Sequence, residues 1–154
     1  MLALAKAGDS VLLPLPWYFN HQMALRMLGI EARPLLCEAQ NGFVPDVARA
    51  AALIEARTRA LVLVTPNNPT GAIYPPQTIA AFADLCRRKN IALVIDETYR
   101  DFLANGAGRP HELFSDDGWR DRVLQLYSFS KSYAVPGYRL GAIVAGQTAI
   151  RDIA

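Results

Sequence analysis

Two kinds of hydrophobic patterning alternate along the chain. Short runs that are apolar at nearly every position occur at residues 11–13, 34–37, 61–65, 91–95, 123–127 and 140–145. Several of them are apolar on both faces, which suits strands of a parallel sheet covered by helices rather than half-exposed ones. Between the runs, apolar residues recur at helical spacing. Residues 20–28 form one such segment, and Gly29 follows at the position of a C-terminal cap. Val47, Ala50, Ala51 and Ile54 fall at i, i+3, i+4 and i+7, giving one apolar stripe. Ile79, Phe82, Ala83 and Cys86 repeat that spacing after Pro75-Pro76, and Arg87, Arg88 and Lys89 occupy the last turn, where they complement the helix dipole. Strand–helix–strand alternation predicts an α/β fold: a three-layer sandwich, its mostly parallel sheet flanked by helices and wound with right-handed crossovers.

Two stretches depart from this rhythm. Residues 101–122 are polar, contain glycine and are long for a loop, so they predict a surface excursion or a short helix with a loop. The two ends read as interrupted elements: residues 1–7 as the tail of a helix closed by Gly8, and residues 147–154 as a helix that has just begun. The expectation is an incomplete domain.

Composition narrows the function classes. A chain of 154 residues fits one domain, and a hydrophobic content of 52% rules out intrinsic disorder. No apolar run approaches the roughly 18–20 residues of a membrane span. The first eight residues carry neither the basic cluster nor the apolar stretch of a signal peptide. The net charge of +2 comes from scattered residues, so nucleic acid is not expected as a partner. Cys37 and Cys86 lie far apart and form no Cys-x-x-Cys pair, which points to a reducing, cytoplasmic setting. His21 and His111 are distant from each other and from any ligand pattern, so no metal site is expected. Of the 16 basic residues only Lys6, Lys89 and Lys131 are lysines.

Ligands of an open parallel sheet bind outside the carboxyl ends of its strands. The run at 61–65 is followed by Pro66-Asn67-Asn68-Pro69-Thr70-Gly71; the run at 91–95 by Asp96, Glu97 and Tyr99; the run at 123–127 by Ser128, Ser130, Lys131, Gly137, Arg139 and Gly141. Taken singly, each has a plain structural explanation. Pro-Asn-Asn-Pro-Thr-Gly is a turn sequence, Tyr99 can pack, Arg139 can be a surface charge, and Glu97 reads as a solvated residue at a strand end. Lys131 resists that treatment. In a chain that uses arginine almost everywhere, a lysine beside two serines at a strand end suggests a requirement for an amine that can lose its proton, which a guanidinium cannot do.

In combination these residues resemble the cofactor-binding large domain of the class I/II aminotransferases, the fold-type-I enzymes that use pyridoxal 5'-phosphate. The resemblance extends over residues 8–146. Its most specific part is Ser128-Phe129-Ser130-Lys131 followed by Gly137-Tyr138-Arg139-Leu140-Gly141, which is similar to the family's Schiff-base signature; the Pro-Asn-Asn-Pro-Thr-Gly turn and Asp96-Glu97-Thr98-Tyr99 precede it in the family's order. The resemblance implies that Lys131 forms the Schiff base and carries the proton between the substrate α-carbon and the cofactor. It implies that Asp96 pairs with the pyridine nitrogen, that Asn68 and Tyr99 bond the ring 3′-oxygen, and that Arg139, Ser128 and Ser130 hold the phosphate. Tyr18 would stack on the ring, with neighbouring Trp17 as the alternative. The implied catalytic set is Lys131, Asp96 and Tyr99; the implied substrates are an amino acid and a 2-oxo acid; the implied assembly of the whole enzyme is a homodimer.

The family's phosphate loop and the arginine that clamps the substrate carboxylate match nothing in residues 1–154. The expectation is therefore part of the large domain, without the N-terminal segment and the C-terminal small domain. A carbon–sulfur lyase or other α-carbon chemistry would use the same residues, and a regulatory or truncated cofactor-binding module without turnover is the non-enzymatic alternative. Ser128-x-x-Lys131 also fits the Ser-x-x-Lys pattern of penicillin-binding proteins, but no lysine follows Lys131 to supply their Lys-Thr-Gly. A Gly-x-Gly-x-x-Gly dinucleotide fingerprint is absent after the first strand.

Overall fold

The computed structural model describes residues 3–103, 110–115 and 117–153. Six strands form one sheet: β1 Ser10–Leu15, β2 Glu31–Leu36, β3 Thr58–Val64, β4 Ala92–Asp96, β5 Val123–Ser128 and β6 Gly141–Val144. Their spatial order is β2-β1-β3-β4-β5-β6. The first five are parallel to their neighbours, and β6 returns antiparallel to β5. Among the described residues, five helices accompany them: α1 Phe19–Met27, α2 Val47–Leu53, α3 Pro76–Lys89, α4 Phe129–Ser132 and α5 Gln147–Ile153. The expected mostly parallel sheet flanked by helices is the observed architecture.

Side chains alternate across each strand, so the sheet builds two cores. On one face Leu12, Leu35, Leu61, Leu63, Leu93 and Ile95 pack under Ile79, Phe82 and Cys86 of α3 and Ala50 of α2. On the other, Val11, Leu13, Val62, Val64 and Val94 pack with Leu25 of α1 and Ile30. Both faces of β3 are buried along almost its whole length, which explains its unbroken apolar sequence.

Local chemistry sets the helix boundaries. Asp46 caps α2 by accepting a hydrogen bond from Arg49 N at 2.6 Å. α3 begins with a proline, whose missing N–H costs nothing in the first turn, and ends at Asn90 in the left-handed region with φ 57°. Gly29 follows α1 with φ 69°, the conformation that let it be read as the cap.

Three expectations need amendment. Residues 3–7 form turns rather than a helix tail; the Asp9 carboxylate accepts from Lys6 N at 3.0 Å and pairs with Arg59 at 3.0 Å, closing a tight turn at the foot of β1. Residues 1 and 2 of that reading lie outside the described residues. β2 begins at Glu31, earlier than its apolar run: it is an edge strand that carries exposed Glu31 and half-buried Arg33 on either side of Ala32, which packs on the core. Among the described residues, the 101–122 region holds short 3-10 helices at Arg100–Phe102 and Asp117–Asp121, with Leu113, Phe114 and Trp119 packed on the core; residues 104–109 and 116 lie outside the described residues.

Candidate functional site

Because β1, β3, β4 and β5 are parallel, the segments leaving their carboxyl ends gather along one edge of the sheet. β1 leads to Tyr18, the residue preceding α1. β3 leads to the turn at 66–71. Asn67 builds that turn: its side-chain oxygen accepts from Thr70 N at 3.2 Å and Thr70 Oγ1 at 2.8 Å, and its main-chain oxygen accepts from Gly71 N at 2.8 Å. Asn67 is buried, while the adjacent Asn68 is only half-buried. β4 ends in Asp96, and β5 passes directly into α4, with Ser128 as its N-cap accepting from Ser130 N at 3.3 Å.

The antiparallel return of β6 completes the edge. Ser128 pairs with Gly141, so the intervening segment carries Lys131 and Arg139 over the same opening. A Cβ on Gly141 would stand 2.9 Å from Tyr127 O, a contact that only glycine avoids. Arg139 adopts a left-handed backbone with φ 56°, uncommon for a residue other than glycine, and its Nη1 donates to Pro136 O at 2.9 Å.

These segments enclose a cavity of about 320 Å³. Tyr18, Asn68, Asp96, Tyr99, Ser128, Ser130, Lys131 and Arg139 all line it. Every site residue expected from the sequence thus meets at one opening, whose size falls within the roughly 300–1,000 Å³ of small-molecule sites. Tyr18, not Trp17, faces the cavity; Trp17 packs on the α1-side core. The Lys131 Nζ stands 5.9 Å from the Tyr99 ring centre. A larger recess of about 410 Å³ lies between α3 and residues 112–123, but it collects no comparable chemistry: Asp84 and Arg87 on its wall pair with each other.

Asp96 is the electrostatic centre of the site. Burial pushes its carboxyl up, but hydrogen bonds from His21 and Thr98 outweigh that and hold it below its ordinary range. His21 Nε2 lies 3.0 Å from Oδ2, while Thr98 donates to Oδ1 from Oγ1 at 2.6 Å and from N at 3.0 Å. Since an ionised carboxylate only accepts, the His21 ring hydrogen is on Nε2. His21 also meets the Tyr18 ring edge-on at 5.6 Å, so one helical turn aligns both the aromatic face and the acid.

Sequence reasoning passed over His21 and Thr98. The signal for His21 was its place one turn after Tyr18 at the start of a helix; nothing local in sequence ties it to Asp96, 75 residues on. Glu97 corrects the expectation of a solvated residue, because its side chain is wholly buried. Strand alternation accounts for this. Asp96 projects to the α1 side with Val94, and Glu97 to the opposite side with Leu93 and Ile95.

The donor set fits pyridoxal 5'-phosphate group by group: an anionic carboxyl for a pyridinium nitrogen, an amine for an aldehyde, and a guanidinium with two hydroxyls for a phosphate. Comparison with known proteins identifies the family. The family described as aminotransferase class I and II matches residues 1–154. Arginine–pyruvate transaminase AruH of Pseudomonas aeruginosa is 36% identical over 142 residues, 92% of this chain and 35% of that protein. Glutamate–pyruvate aminotransferase AlaA of Haemophilus influenzae is 32% identical over 145 residues, covering 94% of this chain and 35% of its own length. Among solved structures, a mutant of Thermus thermophilus aspartate aminotransferase superposes with a TM-score of 0.88 at 30% identity, over 97% of this chain and 38% of that one. The chain thus spans little more than a third of the length of these relatives. With the family matched from end to end and the fold shared, the chain belongs to the class I and II aminotransferases.

Proposed function

We propose that residues 1–154 form part of the cofactor-binding domain of a pyridoxal-phosphate-dependent transaminase, which moves an amino group between an amino acid and a 2-oxo acid. The observation that carries this reading is the convergence of Lys131, Asp96 and Arg139 on one cavity with Asn68, Tyr99 and the two serines. Pyridoxal phosphate, when bound, supplies the electron sink that lets an amino acid lose its α-proton.

The chain's own residues supply the rest. Asp96, kept ionised by His21 and Thr98, would hold a proton on the ring nitrogen. Lys131 is the amine that would hold the aldehyde carbon, with loss of water, and that, when free, would carry the proton taken from the substrate α-carbon. Arg139, with the hydroxyls of Ser128 and Ser130, would hold the phosphate, Asn68 and Tyr99 would hold the ring oxygen, and Tyr18 would pack against the ring. The two unpaired cysteines accord with a reducing cytoplasmic setting.

Incubation with pyridoxal phosphate, borohydride reduction and peptide mass mapping test this directly. Adduct at Lys131, lost in Lys131→Ala, is the expected result. Adduct spread evenly over Lys6, Lys89 and Lys131 would overturn the proposal.

A further inference from the structure

Glu97 is a buried acid with no place in the chemistry just described. It sits between Asp96 and Thr98, yet it faces away from the cavity, and no part of its side chain reaches solvent. Two hydrogen-bond donors and a nearby imidazole surround it. Gln125 of β5 donates to Oε2 from Nε2. Arg100 donates to the same oxygen from Nη1 at 3.2 Å. His111 brings Nε2 to 3.4 Å from Oε1. Leu113 N donates to His111 Nδ1 at 3.3 Å, so that nitrogen is the acceptor and the ring hydrogen lies on Nε2, which like Glu97 Oε1 makes no hydrogen bond among the described residues.

These contacts converge on the turn that bears Tyr99. Arg100 N donates to Glu97 O at 3.0 Å, so residues 97–100 are closed by main chain and side chain together. Glu97 N donates to Leu126 O at 2.9 Å, and Gln125 ties the carboxylate to the same stretch of β5. Six residues after Gln125 comes Lys131. The Glu97 side chain therefore bridges the segment carrying Tyr99 and the strand that delivers Lys131.

We propose that Glu97 is a positioning residue: by clamping the 97–100 turn to β5 it sets the distance between the Tyr99 hydroxyl and the amine of Lys131. This rests on the reading that Lys131 holds pyridoxal phosphate and that Tyr99 bonds the ring oxygen. Glu97→Gln keeps the shape but removes the charge paired with Arg100 and puts an NH2 group in place of one oxygen, facing either Gln125 and Arg100 or His111, so the clamp on the turn loosens.

The experiment follows the pH midpoint of the visible absorbance change of pyridoxal phosphate bound to the full chain, with trapping at Lys131 confirmed by mass. A hydroxyl donor on the ring oxygen favours the deprotonated form, so moving it away raises the midpoint. The expected shift in Glu97→Gln is about half a pH unit or more upward. Tyr99→Phe should produce a shift at least as large, and the double variant should add nothing further, since both changes act through one hydroxyl. A midpoint unchanged in Glu97→Gln, or a shift fully additive to that of Tyr99→Phe, overturns the proposal. A residue needed only for stability would lower the melting temperature and leave the midpoint alone. If Glu97→Gln does not fold, Arg100→Met decides by the same criterion, because it frees the turn from a partly exposed position and leaves Glu97 bonded to Gln125. Failure of the unaltered chain to trap at Lys131 would instead refute the transaminase reading itself.

Discussion

Replacing His21 by phenylalanine isolates one hydrogen bond at the centre of the site. The new ring fills the same space and keeps the edge contact with Tyr18, so no cavity opens; what is lost is the donor 3.0 Å from Asp96 Oδ2. Hydrogen bonds to charged groups contribute about 1.5–3 kcal/mol. The side chains of His21 and Asp96 are only 16% and 12% exposed, so solvent screening takes away little. A loss of about 2 kcal/mol at pH 7 is expected. Its pH dependence follows from linkage. The folded-state pKa of Asp96 lies below the ordinary 3.8, so its stabilisation is complete above 3.8 and disappears as pH falls through the folded value. Without His21, burial faces weaker opposition and the folded value rises. The difference between the two proteins is therefore largest near neutral pH and narrows on acidification, as the variant takes up its proton first. Urea unfolding followed by tryptophan fluorescence from pH 7 down to pH 3.5 measures it. Thr98→Val, which removes the 2.6 Å donor and no titratable group, separates the response of Asp96 from any contribution of the imidazole. A difference that stays constant over this range would refute the reasoning.

Two further outcomes concern the core. Phe82→Ala removes a wholly buried ring from the face beneath α3 and should cost about 3–5 kcal/mol in the same unfolding assay. Burial pushes the Cys86 thiol up to about 12 and also raises that of half-buried Cys37, so a thiol reagent at pH 7 should leave Cys86 unmodified until denaturant is added.

The legible parts of the fold were those where one physical demand dominates. β3 and β4 are buried on both faces and therefore read as continuous apolar runs. α3 could be read from its stripe, its proline start and its basic last turn. Edge positions were harder. In β2, Glu31 and Arg33 precede the apolar run because an edge strand leaves part of its length open to water, and its Pro34 is tolerated because only one neighbour pairs with it. The turn at residues 3–9 was missed because the Asp9 carboxylate, bonded to Lys6 N and Arg59, decides it, and Arg59 is 50 residues away. The same limit applies to the site. Lys131, Asn68 and Arg139 stand in recognisable local motifs, whereas His21 and Glu97 owe their placement to partners brought near only by the sheet.

Parallel strand order also bears on how the protein reaches this state. A parallel pair cannot close through a hairpin; each must wait for an entire crossover to form. Tyr18, Asn68, Asp96 and Lys131 stand at the ends of four such strands, with more than a hundred residues between the first and the last. No partial assembly of neighbouring segments encloses the cavity. Loop-closure entropy must be met for the whole set before any ligand contact rewards it, which places the chain among slowly folding topologies. The opening that gathers the cofactor groups is then among the last features to form, and ligand capture reports completion of the sheet rather than its beginning.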